Sequence, residues 1–388
     1  MARHSVPGDR LRPAQVGRAI VYLLVAALSL SILVAFGYGW KNYRALDSGL
    51  KKLKITSLGT AKNAKPTTPE QKFQGSAQNI LITGLDDRAG LTAAQIRAYH
   101  TGDDVSLSTD SIMIVHVPAD GSKATLVSIP RDTWVTIPGY QSAKINAAYA
   151  DGYTYTAGTD AQKRAAGADE LVKTVKLLTN ITIDHFVEVG FGGFVNIADA
   201  INGIQVNLCH SVNDSYSGFD MSAGVHTLNG IQALEFVRQR HGLPGGDLDR
   251  ETRQRYFLGA AFHKIESVGV LLNPGKLSAL IKAVDSAIYV DSGFSLQSLA
   301  IQMSNLSSGN IVGRSIPTNG SETIEGQDAI SVDPAAVQAF MQKTFYPAPS
   351  TSTSSSSSGP ANPSGSAGST SATSSSAVAP VLKKSCIN

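Results

Sequence analysis

Residues 19–40, AIVYLLVAALSLSILVAFGYGW, run without a charge between Arg18 and Lys41. As a helix these 22 residues would rise about 33 Å, enough to cross a hydrocarbon core. The apolar region of a signal peptide is shorter, about 7–15 residues. A core helix carries a polar face, whereas only Ser29 and Ser31 interrupt this one. Tyr38 and Trp40 stand at its end, where interfacial aromatics collect. The run reads as an uncleaved transmembrane helix, and the rest of the chain is placed relative to it.

Basic residues flank the span on both sides and do not orient it. The other end of the chain helps. Residues 347–380 contain no charge and no aromatic ring and are dominated by Ser, Thr and Pro. Such a tract cannot bury a core, and it is common in exported stalks. The expected organisation is a cytoplasmic N-terminus (1–18), the anchor (19–40), a linker (41–75), an extracytoplasmic domain (76–346) and a disordered tail (347–388). The protein is thus expected in the cell membrane, single-pass, in contact with membrane lipid. Its two cysteines, Cys209 and Cys386, are either unrelated small hydrophobes or, in an exported domain, the halves of a disulfide.

The chain holds 33 basic and 30 acidic residues, a net charge of +3. That balance speaks against a nucleic-acid partner, and any anion site must be local.

The clearest local structure is DSIMIVHVPADGSKATLVSIPRD, residues 110–132. Its two β-branched runs, 111–117 and 124–129, flank a hairpin connection rich in turn formers. With the turn centred near residues 120–121, cross-strand partners have numbers summing to about 241. Asp110 then lies beside Arg131. Strand patterns at 79–83, 185–190, 204–208 and 310–316 alternate with helical ones at 161–180, 194–201, 277–288 and 335–345. Strands and helices mixed in this way predict an α/β class domain, a mixed sheet sandwiched by helices.

EFVRQRHGLPGGDLDRETRQR, residues 235–255, gathers five arginines and four acids. On a continuous helix Arg238 and Arg240 would point about 200° apart, whereas in an extended segment they share a side. Gly242 and Pro244 favour extension. A second helix is expected to start near Asp247–Asp249, with Arg250, Gln254 and Phe257 on one face. Two straightened arginines facing a helix N-terminus suit a phosphate. Arg253 and Arg255 are expected to be solvated, and no aromatic stacking platform is evident near the arginines.

GLDDR, STDSIMIVHV, LVSIPRDTWVTIPG, KINAAYADG and FVRQRHGLPGGDLDRETRQ, in this order, resemble the LytR-CpsA-Psr family of cell-envelope proteins, most closely its actinobacterial members. The resemblance covers most of residues 76–346. It implies a ligase that moves a glycopolymer, such as a teichoic acid-like polymer or arabinogalactan, from a polyprenyl-pyrophosphate carrier to a peptidoglycan hydroxyl. It further implies Asp86 and Asp110 as ligands of Mg²⁺ (or Mn²⁺), and Arg131, Arg238, Arg240 and Arg250 as the pyrophosphate clamp. Asp247, a candidate general base, and Gln254 would complete the site. Many relatives carry an arginine where this chain has Ser108 and Thr109, so one phosphate contact is missing or Arg88 supplies it. Two other activities would use the same groups: hydrolysis of lipid pyrophosphates, and non-catalytic binding of lipid-linked intermediates.

Overall fold

The computed structural model describes residues 50–59, 76–88, 91–100, 107–267, 288–295, 299, 302, 310–347 and 386–388. The expected anchor at 19–40 and nearly all of the expected tail lie outside these. Among the described residues no helix is long and apolar enough to cross a membrane.

The first elements in chain order are β1 (Lys51–Leu53), β2 (Gln78–Leu85), α1 (Ala93–Ala98), β3 (Thr109–Val117), β4 (Ala124–Ile129), β5 (Trp134–Thr136) and β6 (Ser142–Lys144). Helices α2 (Ala147–Thr154) and α3 (Asp160–Thr179) follow, then β7 (His185–Gly190), α4 (Phe191–Ala200) and the short strands β8 (Ile204–Leu208), β9 (Val212–Asp214), β10 (Phe219–Met221) and β11 (Gly224–Leu228). The remainder comprises α5 (Gly230–Arg238), α6 (Asp247–Ser267), β12 (Ile288–Asp291), β13 (Ile311–Ser315), β14 (Gly320–Ile324), β15 (Gln327–Ser331) and α7 (Pro334–Phe345).

Seven strands make a mixed sheet in the order β1-β12-β7-β2-β3-β4-β13. The β3–β4 ladder has the predicted register: Ile112 faces Ile129, Ile114 faces Val127 and His116 faces Thr125. Its central strands are buried on both faces, so they read as nearly continuous apolar runs. Leu81, Leu85, Ile112, Ile114, Val127 and Ile129 point to one side and pack against α2, α3 and α7. Ile80, Met113, Val115 and Leu126 point to the other, the side of a second core built from α4, α5 and α6. The fold is the expected helix–sheet–helix sandwich.

Three expectations are corrected. The stretch 41–75 contains β1, which pairs in parallel with β12 at the sheet edge; three residues are too few to show a period. The helical pattern predicted at 277–288 ends on Ile288, which instead opens β12. Its residues 277–287 lie outside the described ones. The last residues also return to the domain. Cys209 and Cys386 are disulfide-bonded, Ile387 bridges to Leu208, and its side chain is 3% exposed.

Candidate functional site

Strand polarity brings the site together. The C-terminal ends of β2, β4 and β7 and the N-terminal end of β3 lie at one edge of the sheet, since β7 runs parallel to β2 and β3 antiparallel to both β2 and β4. Asp86 follows β2, Asp110 opens β3 and Arg131 follows β4. At this edge Gly84 is pressed so close to β3 that a Cβ there would meet Ser111 Oγ at 2.6 Å.

The arginine stretch is built by two helices and the joint between them. Asn229 starts α5 through a reciprocal cap with Gln232, which places Arg238 in its last turn. Gln239 (φ −56°, ψ 131°) then straightens the chain, although Arg238 and Arg240 do not take the same partner. Gly242 (φ +79°) and Gly246 (φ +55°) turn it back through left-handed backbone. Helix α6 begins at Asp247, and Asp249 accepts a hydrogen bond from Gly245 N at 2.7 Å.

Asp247 is the hub. Its Oδ1 lies 2.8 Å from Arg250, 3.2 Å from Arg240 and 3.8 Å from Arg131. Arg131 also donates to Asp110 Oδ1 at 2.6 Å, the pair expected from hairpin register, and Arg250 donates to the Asp110 carbonyl at 3.3 Å. Arg238 points elsewhere along the rim. It donates to Tyr99 O at 2.7 Å and lies over the Phe191 ring. Burial lowers the pKa of Arg250 and Arg238. Asp247 opposes the shift in the first, and Asp86 with Asp110 in the second. In Arg131 burial also acts downward, but Asp110, Asp247 and Asp132 outweigh it and the pKa rises. Arg131 Nε, Arg250 Nε and both Asp247 oxygens are buried without a hydrogen bond, which is uncommon for groups of this polarity.

The four arginines and Asp110, though not Asp247 itself, rim a cavity of about 400 Å³. Asp110, Arg131, Arg238, Arg240, Arg250 and Gln254 contribute to its wall, while its interior is apolar: Ile82, Met113, Phe194, Ile197, Leu234 and Phe257 among others. Arg250, Gln254 and Phe257 share it, as their helical spacing predicts. Asp86 and Arg88 are not in this lining. Arg88 instead forks onto Asp86 at 2.8 and 2.6 Å, so the alternative role of Arg88 as a phosphate contact finds no support in this geometry.

Magnesium needs one or two carboxylates and takes its remaining oxygens from phosphate and water. Among the described residues no cluster of three or more metal-binding side chains exists, and a complete protein cage is absent there. Asp110 fits the smaller requirement: its side chain is 39% exposed and its hydrogen bond to Arg131 engages Oδ1. Asp86 already accepts one hydrogen bond from Arg88 on each oxygen, which leaves each oxygen a second lone pair.

Two further expectations fail. Arg253 and Arg255 are not solvated. Arg253 is fully buried (0% exposed) over the Phe236 ring. It donates to Gln239 Oε1 and, at 2.6 Å, to Asn388 O. Arg255 faces the buried Glu251 at 3.6 Å. Helical spacing could not reveal these partners, because Asn388 approaches from the far end of the chain. An aromatic platform also exists near the arginines. Tyr216 stacks on His241 with ring centroids 3.9 Å apart, and both line the cavity. The turn-forming composition of DSYSG marks a loop at Tyr216 but not its neighbour.

Known proteins share this architecture. The chain is 35% identical over 348 residues to the cell wall biosynthesis protein LcpA of Corynebacterium glutamicum, which covers 85% of this chain and 66% of the relative. It is 34% identical over 201 residues to the "polyisoprenyl-teichoic acid--peptidoglycan teichoic acid transferase TagU" of Oceanobacillus iheyensis, over 52% of this chain and 55% of that protein. The chain thus spans a little under two thirds of LcpA and about half of TagU. The solved structure of TagT bound to LI-WTA shares the fold, with a TM-score of 0.53 and 21% identity over 76% of this chain and 97% of that one. The model of the LytR_cpsA_psr family matches residues 50–345, and the chain belongs to that family.

Proposed function

We propose that this protein transfers a phosphorylated glycopolymer from a polyprenyl-pyrophosphate carrier to a peptidoglycan hydroxyl, forming a phosphodiester. Residues 19–40 would anchor it in the cell membrane with the domain outside. The observation that carries this reading is the junction of guanidinium groups and an apolar cavity. A lipid pyrophosphate needs cationic contacts at one end and an apolar cavity at the other, and Arg131, Arg238, Arg240 and Arg250 line a largely apolar cavity here. The names of LcpA and TagU agree with it in kind.

In the reaction the acceptor oxygen attacks the sugar-linked phosphorus, the bond to the bridging oxygen breaks, polyprenyl phosphate leaves, and the hydroxyl proton passes to that leaving phosphate or to solvent. Phosphoryl transfer asks mainly for positioning and charge stabilisation. Arg131, Arg240 and Arg250, oriented by one shared carboxylate, would hold the phosphate oxygens, and Arg238 would grip from the rim. Mg²⁺ or Mn²⁺ held by Asp110 and Asp86 would neutralise the pyrophosphate charge. Asp247, ringed by three guanidinium groups, suits the aiming of these arginines better than the proton abstraction its sequence position suggested.

The test incubates the full-length protein in detergent with a prenyl-pyrophosphoryl sugar and peptidoglycan fragments. A covalent sugar–phosphate–peptidoglycan product supports transfer. Free phosphorylated sugar would make the protein a hydrolase, and unchanged ligand a binding protein; either result overturns the proposal.

A further inference from the structure

We propose that the stacked rings of Tyr216 and His241 are a sugar platform: the subsite for the pyranose directly joined to the pyrophosphate. This rests on the arginines being the pyrophosphate clamp, and it adds a recognition element that neither chain spacing nor the clamp itself supplies.

The pair is unusual for its setting. Tyr216 is 72% exposed and the His241 side chain 59% exposed, yet the rings are stacked within 25° of parallel. They come from two separate loops, the β9–β10 turn and the segment between α5 and α6. A single buried carboxylate fixes the tyrosine's turn and lies beside the histidine. Asp214, 5% exposed, accepts from Tyr216 N at 3.0 Å and from Ser217 Oγ at 2.8 Å. Its Oδ1 also lies 4.0 Å from His241 Nδ1. The turn is closed by Gly218 N donating to Asp214 O at 2.9 Å, with Gly218 in left-handed backbone at φ +82°. The tyrosine is therefore presented on a fixed turn.

Position and chemistry agree on a sugar. Tyr216, Ser217, Asp214 and His241 line the same cavity as Arg238, Arg240 and Arg250. His241 directly follows Arg240, and consecutive Cα atoms are about 3.8 Å apart. In a sugar-1-pyrophosphate the anomeric oxygen is bonded to phosphorus, so the ring must sit within its own breadth of the phosphate contacts. An exposed aromatic face offers an apolar, electron-rich surface to the C–H face of a pyranose, and the sugar hydroxyls stay in water. The prenyl chain is a poor match for so exposed a pair, because the apolar interior of the cavity removes it from water far better.

Binding by full-length protein in nanodiscs tests this, with two probes: a prenyl pyrophosphate and the same lipid carrying one hexose. Tyr216→Ala and, separately, His241→Ala should weaken the hexose-bearing probe roughly tenfold while leaving the sugar-free probe within about twofold. Tyr216→Phe should restore the wild-type ratio. Equal loss for both probes would make the rings a mere cover over the cavity and overturn the proposal, as would no loss for either. If wild-type protein fails to bind the sugar-free probe, or Arg240→Ala binds it as well as wild type, the clamp reading itself fails. The platform falls with it, through a result separable from the other two.

Discussion

Asp247 holds Arg131, Arg240 and Arg250 about one carboxylate, an arrangement that trades like-charge repulsion for readiness. Removing one guanidinium should therefore act on rate more than on folding. Arg240, with a side chain 45% exposed, is the cleanest choice: Arg240→Ala should lower kcat by about a hundredfold or more, with an unchanged circular dichroism spectrum. Arg238→Ala should behave alike. Glu251, one helical turn beyond Asp247, gives a pH prediction. Burial, working against the pull of Arg255, pushes its carboxyl up to about 7 from an ordinary 4.5. Below pH 4.5 the group is neutral folded or unfolded. As pH rises towards and through 7, the folded state must ionise a buried acid, and stability falls. The stake is on the order of 3 kcal/mol. Thermal scans of the wild type should show Tm declining as pH rises from 5 towards 7, and Glu251→Gln should flatten that decline.

The joint between α5 and α6 shows what a sequence can reveal and what it cannot. Pairs fixed by local geometry were legible: Asp110 beside Arg131 from hairpin register, and the shared face of Arg250, Gln254 and Phe257. Each needs only a period or a turn centre. Partners fixed by distant chain were not. Arg253 looks like a solvated helical arginine until Asn388 and Gln239 arrive on either side of it. Tyr216 looks like a loop residue until the β9–β10 turn meets His241. Edge strands of three residues, such as β1, carry no detectable pattern at all. At this scale Gln239 links the C-terminal residues to the arginine joint, since it sits between Arg238 and Arg240 and accepts from Arg253. Gln239→Ala should lower kcat severalfold with a smaller change in KM, as loss of aim rather than of contact would. Steady-state kinetics with a prenyl-pyrophosphoryl sugar would show the split.

At the scale of the whole domain, and among the described residues, the α2–α3–α7 core packs one face of the sheet and the cavity lies on the α4–α5–α6 face. A bulky ring on the half-buried inner wall should discriminate by ligand length. Ile197→Trp is expected to weaken binding of a long prenyl pyrophosphate by roughly tenfold or more while sparing inorganic pyrophosphate, as isothermal titration would report. The cross-link between Cys209 and Cys386 spans 177 residues. Replacing both by serine should cost stability up to about 5 kcal/mol on chain-entropy grounds, visible as a large fall in Tm. The same bond makes a ring of everything between its two sulfurs, the Ser-rich stretch included. A protease that cuts once between residues 348 and 385 therefore liberates nothing. Both pieces would travel together on a gel until a reducing agent parts them, so the domain would keep its final residues in place after being nicked.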